Sequence, residues 1–145
     1  MPKEQQSFEN HAKFVGPYHF VATSLVLIVT LWSAWRVVTA FSVDAVMMVL
    51  LCIAVIIMHL YIRLFPLKVQ DRLIRLEETL RMREVLPPEM HGRIGEIRRG
   101  QFVALRFAPD EELPGLVEKV LSGELKSGKE IKQAIQNWRA DHLRM

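Results

Sequence analysis

Residues 18–41, YHFVATSLVLIVTLWSAWRVVTAF, and residues 45–65, AVMMVLLCIAVIIMHLYIRLF, decide the fold. No charged residue occurs between Lys13 and Arg36, and none between Asp44 and Arg63. A helix needs ~20 mostly apolar residues at ~1.5 Å each to cross the hydrocarbon core of a bilayer, and both stretches reach that length. Only Ser42, Val43 and Asp44 separate them, which leaves room for a tight turn and predicts an antiparallel transmembrane hairpin. A cleaved signal peptide is the competing reading of the first stretch. It is set aside because the preceding segment is long and of mixed charge, the apolar run exceeds a usual signal core, and a second run follows at once.

Aromatic residues mark the ends of both spans. Tyr18 and Phe20 stand at one end of the first, Trp32 and Trp35 approach the other, and Tyr61 and Phe65 close the second, as interface belts do. Arg36 lies about a turn inside the far end, where its long stem can snorkel to the headgroups beside Trp35. Lys3 and Lys13 precede the first span and Arg63, Lys68, Arg72 and Arg75 follow the second, with Arg36 alone near the turn. That asymmetry predicts both termini on the cytoplasmic side. The division is then a cytoplasmic segment 1–17, the hairpin 18–65 and a cytoplasmic helical tail 66–145.

The remaining composition agrees with a single domain plus an anchor. The chain has 145 residues, 50% of them hydrophobic, and the apolar excess lies almost wholly between Phe14 and Phe65. Net charge is +3; the tail nearest the membrane is basic and turns slightly acidic from Phe107 onward, so a uniform polyanion-binding surface is not expected. Cys52 is the only cysteine, which excludes an internal disulfide and a thiolate cluster. Within the spans, Thr30 and Ala34 opposite Cys52 and Ala54 are small residues suited to close helix packing. His59 is the candidate intramembrane polar site. Packing across the hairpin or against a neighbouring copy is its first reading, and a proton, quinone or haem role the second. Haem ligation by His19 and His59 together is disfavoured, because hairpin pairing puts His59 about two turns deeper.

The tail reads as helical throughout. Val69, Leu73, Leu76 and Leu80 repeat at spacings of four and three, a candidate interaction seam, and Asp71–Arg75 and Glu77–Arg81 are acid-before-base pairs at i,i+4. Packing on the rest of the tail is the first expectation for this seam, with self-association or lying on the membrane as alternatives; the repeat is shorter than a free coiled coil requires. Lys68, Arg72 and Arg75 form a juxtamembrane basic face. Pro66 is expected to kink the chain between span and tail, and Pro87 and Pro88 to stop the amphipathic helix. A compact cluster of short helices follows: one carrying Met90, Ile94 and Ile97 and stopped by Gly100, one carrying Phe102, Leu105 and Phe107, and one burying Leu113, Leu116, Val117, Val120 and Leu121 and ended by Gly123. Ser127 with Glu130 is a capping box opening a last helix with Ile131, Ala134, Ile135 and Trp138 on one stripe. The fold class is all-α.

Several segments carry a resemblance. These are Tyr18, His19 and Phe20; Leu67 to Arg72 with Ile74 to Glu78; Leu86, Pro87 and Pro88; Ala104 to Ala108; Asp110 to Pro114; and Ile131, Lys132, Ala134, Ile135, Asn137, Trp138 and Arg139. Through them the chain resembles, along nearly its whole length, a bacterial family of two-span membrane proteins known as a domain of unknown function. The resemblance implies a bacterial inner-membrane setting and an intact two-span architecture. It implies no reaction, substrate or cofactor.

No catalytic constellation is visible: there is no phosphate-cradling glycine-rich loop, no histidine pair at metal spacing, and no nucleophile with a recognisable base. Glu77 with Glu78, and Asp110 with Glu111 and Glu112, read as solvated faces or helix-dipole partners, and His91 and His142 as exposed. A non-enzymatic chain without cofactor is expected, with the lipid bilayer and a protein partner or further copies of itself as its contacts. The leading reading is a membrane-anchored interaction module or accessory subunit of an inner-membrane complex. The alternative is a homo-oligomeric channel or transport component using His59 and Arg36. A third reading sets the last helix on DNA through Lys129, Lys132, Gln133, Gln136 and Arg139, and the acidic run upstream argues against nucleic acid.

Overall fold

A computed structural model describes residues 7–8 and 15–141, and within them every regular element is helical. A π-helical turn, Pro17–Ala22, leads into α1 (Thr23–Thr39), followed by α2 (Val43–Val85), α3 (Pro88–His91), a 3₁₀ turn (Ile94–Glu96), α4 (Arg99–Leu105), α5 (Leu113–Leu121) and α6 (Gly128–Ala134). His142 lies outside the described residues. The chain divides into two compact units, Phe14–Pro66 and Leu67–Met145, the second joined by Met1–Lys13.

In the apolar unit the turn lies two residues earlier than the sequence suggests. α1 ends at Ala40, and Ser42 opens α2: its hydroxyl accepts from Ala45 N–H at 3.2 Å and its carbonyl from Val46 N–H at 3.2 Å. Val43 and Asp44 therefore belong to the helix, where the Asp44 carboxylate complements the positive end of its dipole. Antiparallel pairing is fixed by contacts of Tyr18 with His59 and of Ser33 with Cys52. Ser33, Ala45 and Cys52 are the buried small residues of this unit, whereas Ala34 and Ala54 face outward. The expected seam is thus rotated by one position on α1. Hydroxyls along α1 are satisfied locally, Thr30, Ser33 and Thr39 donating to the carbonyls of Val26, Val29 and Trp35 at 2.6, 2.7 and 2.9 Å. Of the two helices long and apolar enough to cross a membrane, only 6% and 11% of the most apolar windows are buried.

α2 runs on through Pro66. The span and the amphipathic segment are one helix of 43 residues, with Pro66 inside it. Proline forfeits one backbone bond, to the Ile62 carbonyl, and an otherwise strongly helical sequence on both sides carries the helix through.

In the tail unit, α4 is the centre of the core. Phe102, Leu105 and Phe107 are fully buried with Met82 of α2, Leu113 and Val117 of α5 and Ile131 of α6. Gly100, expected as a stop, sits in the first turn of α4, where α6 crosses so closely that a side chain at Gly128 would meet the Gly100 carbonyl at 3.2 Å. Gly123 ends α5 as expected, at φ 81°, with the Glu124 and Leu125 amides returning to the Lys119 carbonyl. The capping box forms: Glu130 N–H donates to Ser127 Oγ, and the Glu130 carboxylate accepts from the Ser127 and Lys126 amides. The last helix is shorter than its apolar stripe. It ends at Ala134 because the Glu112 carboxylate takes the amides of Gln136 and Asn137 at 2.9 Å each, which holds the chain out of the helix while Ile135 stays buried.

These two carboxylates make the tail acid-sensitive. The Lys126 and Ser127 amides hold Glu130 below the usual carboxylate range; burial pushes Glu112 up, but its bonds to Gln136 and Asn137 outweigh that and leave it lowered. A carboxylate with a lowered folded pKa stabilises the fold above its unfolded value, about pH 4, and that contribution is lost as pH falls through the folded value. Hydrogen exchange across residues 128–137 of the full chain in detergent micelles is expected to accelerate below about pH 4. Glu112→Gln should exchange faster already at neutral pH and show a shallower acid dependence; an unchanged acid slope would contradict the assignment.

Candidate interaction surface

The half of α2 beyond Pro66 presents two faces at helical spacing. Ile74, Glu78, Met82 and Leu86 recur every four residues and are buried. Val69, Leu73, Leu76 and Leu80 lie on the opposite side and are 67%, 53%, 58% and 55% exposed. The first expectation for the 4–3 seam, packing on the rest of the tail, is overturned. The core selects the face that also carries Glu78, because its charge is matched there. Of the basic face, Lys68 and Arg72 are exposed, while Arg75 lies over the Phe102 ring with its guanidinium carbon 5.7 Å from the centroid.

Beneath α2 lies a charge network the sequence does not announce. Glu78, expected in solvent, is 5% exposed and pairs with Arg81 at 2.9 Å and Arg139 at 3.4 Å. Arg81 reaches on to Asp110 at 2.6 Å and donates to the Ala108 carbonyl at 2.7 Å. Arg106, also buried, pairs with Asp141 at 3.2 Å and stacks on Phe107. The anticipated i,i+4 pairs do not form; Asp71 turns instead to Arg99 at 3.7 Å. These groups border a cleft of ≈ 440 Å³ between α2 and residues 139–141, in which each arginine already faces a carboxylate. His91 is half-buried rather than exposed, its Nε2 lying 2.8 Å from the Leu86 carbonyl at the end of α2.

His59 is enclosed by its own hairpin. Tyr18 stacks on it with ring centroids 4.2 Å apart and donates its hydroxyl to the His59 carbonyl, and Thr23 Oγ1 lies 3.1 Å from His59 Nε2. The π-helical turn explains how both reach it. An i→i+5 ladder brings residues five apart onto one side, and Tyr18 and Thr23 are such a pair. His19 bonds to the Val15 backbone at 3.0 Å and meets the Tyr18 ring edge-on at 5.1 Å, which corrects the expected depth: the residue next to His19 stacks on His59, so His59 does not lie two turns deeper. Among the described residues no three His, Cys, Asp or Glu side chains converge as a metal site would need.

A family profile matches residues 1–145 from end to end. The chain belongs to the DUF6526 family. DUF6526 is described as a family of unknown function. Searches of the curated proteins and of the solved structures returned no match. In this DUF6526 chain, segments that lie far apart in sequence meet at one place. Phe107 packs on Trp138 at 4.8 Å, the Arg139 amide donates to the Phe107 carbonyl at 2.8 Å, and Glu112 holds Gln136 and Asn137. The DNA reading loses its geometry here, since α6 stops at Ala134, before Gln136 and Arg139, and Lys132 lies over the Phe107 ring. Trp32, Trp35, Arg36 and Tyr61 are exposed, and Trp32 stacks obliquely on Trp35 at 5.0 Å.

Removing one partner of a buried ion pair strands the other charge, which costs about 3 kcal/mol or more. Arg81→Met is therefore expected to lower the opening free energy of α4 and α5, read by hydrogen exchange, by about 3 kcal/mol. The double variant Glu78→Leu/Arg81→Met should recover most of it. Equal loss in single and double variants would contradict a charge-stranding origin.

Proposed function

We propose that this protein is a membrane-anchored helical interaction module of the bacterial inner membrane, with Pro17–Thr39 and the apolar part of α2 crossing the bilayer and the tail held at the cytoplasmic surface. One observation carries the reading: the hairpin satisfies its backbone and hydroxyl groups internally yet leaves nearly all of its apolar side chains uncovered. The core helix of a soluble protein would be mostly buried. In lipid, such a surface is already in its preferred solvent.

Supporting the cytoplasmic placement, Lys3, Lys13, Arg63, Lys68, Arg72 and Arg75 flank the outer ends of the spans, against Arg36 near the turn. Ser7 and Phe8 are half-buried and group with the tail unit, as segments on the same side of a membrane can. The tail offers a rigid core and an exposed apolar stripe, the features of a docking element. The pore alternative draws little from His59, whose ring is occupied by Tyr18 and Thr23 of the same chain.

Fractionation tests the anchor. The chain is expected to stay with the membrane pellet through high salt and alkaline extraction, to be released by mild detergent, and to be released in an assembly larger than one chain. Release by alkali, or a detergent-solubilised species that is always a lone monomer, would contradict the proposal.

A further inference from the structure

We infer that the exposed seam of α2 pairs in parallel with the same seam of a second copy of this chain. The inference rests on the membrane-anchored reading above and names the partner of its docking stripe.

Heptad geometry sets the terms. Leu73 and Leu80 occupy a positions, Val69 and Leu76 d positions, and all four are exposed, Leu73 at the rim of the cleft. Such a stripe facing water forgoes the burial that its spacing is built for. Its flanks differ in sign. Arg72 stands at g on one side, and Glu77 and Glu84 at e on the other; all three are exposed, and among the described residues none has an ion pair. In a parallel pair the g residue of one helix meets the e residue of the next heptad on its partner, so Arg72 meets Glu77 of the second copy, and by symmetry the same bond forms twice. In an antiparallel pair e faces e, and acids confront acids. The charge pattern therefore selects the parallel arrangement.

Parallel is also the arrangement that the anchor delivers. Copies inserted with one orientation present α2 with Val69 at the membrane-proximal end of every seam, only three residues beyond Pro66. The repeat spans two heptads before Arg83 takes the next core position, fewer than the three or four that a free coiled coil needs. Confinement to a bilayer supplies the difference, because tethering raises the effective concentration of one helix for another. The seam is accordingly matched to association in the membrane and to dissociation on dilution. Lying flat on an anionic leaflet is the competing fate of an apolar stripe; Lys68 and Arg72 favour it, and Glu77 and Glu84 beside the seam oppose it.

The test uses the full chain in vesicles with Cys52→Ser as background, since the buried Cys52 lies 3.8 Å from Ser33 and tolerates a hydroxyl of similar size. Val69→Cys and Leu80→Cys, made separately, should each self-cross-link on oxidation, which an antiparallel pair cannot do at both ends, whereas Arg75→Cys, on the side that faces Phe102, should not. Adding Arg72→Glu to either is expected to cut cross-linking roughly fivefold by turning two attractive contacts repulsive, and adding Glu77→Arg to that variant should restore it. Equal cross-linking at all three positions, no response to Arg72→Glu, or no recovery in the charge-swapped variant would overturn the pairing. So would quenching of a probe at Leu76→Cys by spin-labelled lipid at every protein density, which would lay the seam on the membrane. Retention of every variant in the alkaline-washed pellet separates the two readings: uniform cross-linking in a retained chain defeats the seam alone, and loss of retention defeats the anchor with it.

Discussion

Apolar surface that the chain cannot cover by itself constrains everything else in this protein. Two helices expose Leu, Ile, Val, Phe and Trp side chains around most of their circumference. Burial in water would require a partner layer. A bilayer meets the requirement at once, and the polar groups that remain are disposed of locally: hydroxyls bond one turn back, and His59 is closed in by Tyr18 and Thr23.

The half of α2 beyond Pro66 has two sides. One side docks Ile74, Met82 and Leu86 into the tail core and brings Glu78 with them. A buried carboxylate is costly, and here two arginines from different parts of the tail offset it, Arg81 from the same helix and Arg139 from the last segment. Arg81 extends the contact to Asp110, so the loop before α5 and the segment after α6 are both held by charges on α2. The other side is left apolar and open, flanked by opposite signs. A short seam with that pattern suits the proposed pairing under confinement better than stability in isolation.

Much of this was legible from residue order, and the failures have physical causes. Charge-free lengths, the Pro87–Pro88 stop, Gly123 and the Ser127–Glu130 box are local signals and reappear in place. The regular 4–3 seam looked like the core face, whereas the face actually buried contains Glu78, whose partners lie outside its own helix turn; Arg139 is 61 positions away and no local pattern could name it. The same holds for Glu112, which ends α6 from another segment. The Tyr18–His59 stack depended on a π-helical turn, which hydrophobic periodicity does not register.

The most direct measurement is the reactivity of single cysteines toward a membrane-impermeant maleimide in sealed, right-side-out vesicles made from cells expressing the full chain with Cys52→Ser. Ile28→Cys and Ile57→Cys should remain unlabelled until detergent is added, Ser42→Cys should label from outside, and Glu118→Cys should label only once the vesicles are opened. Rapid labelling of Ile28→Cys or Ile57→Cys in sealed vesicles, or of Glu118→Cys from outside, would contradict a hairpin that spans the bilayer and holds its tail on the inner face.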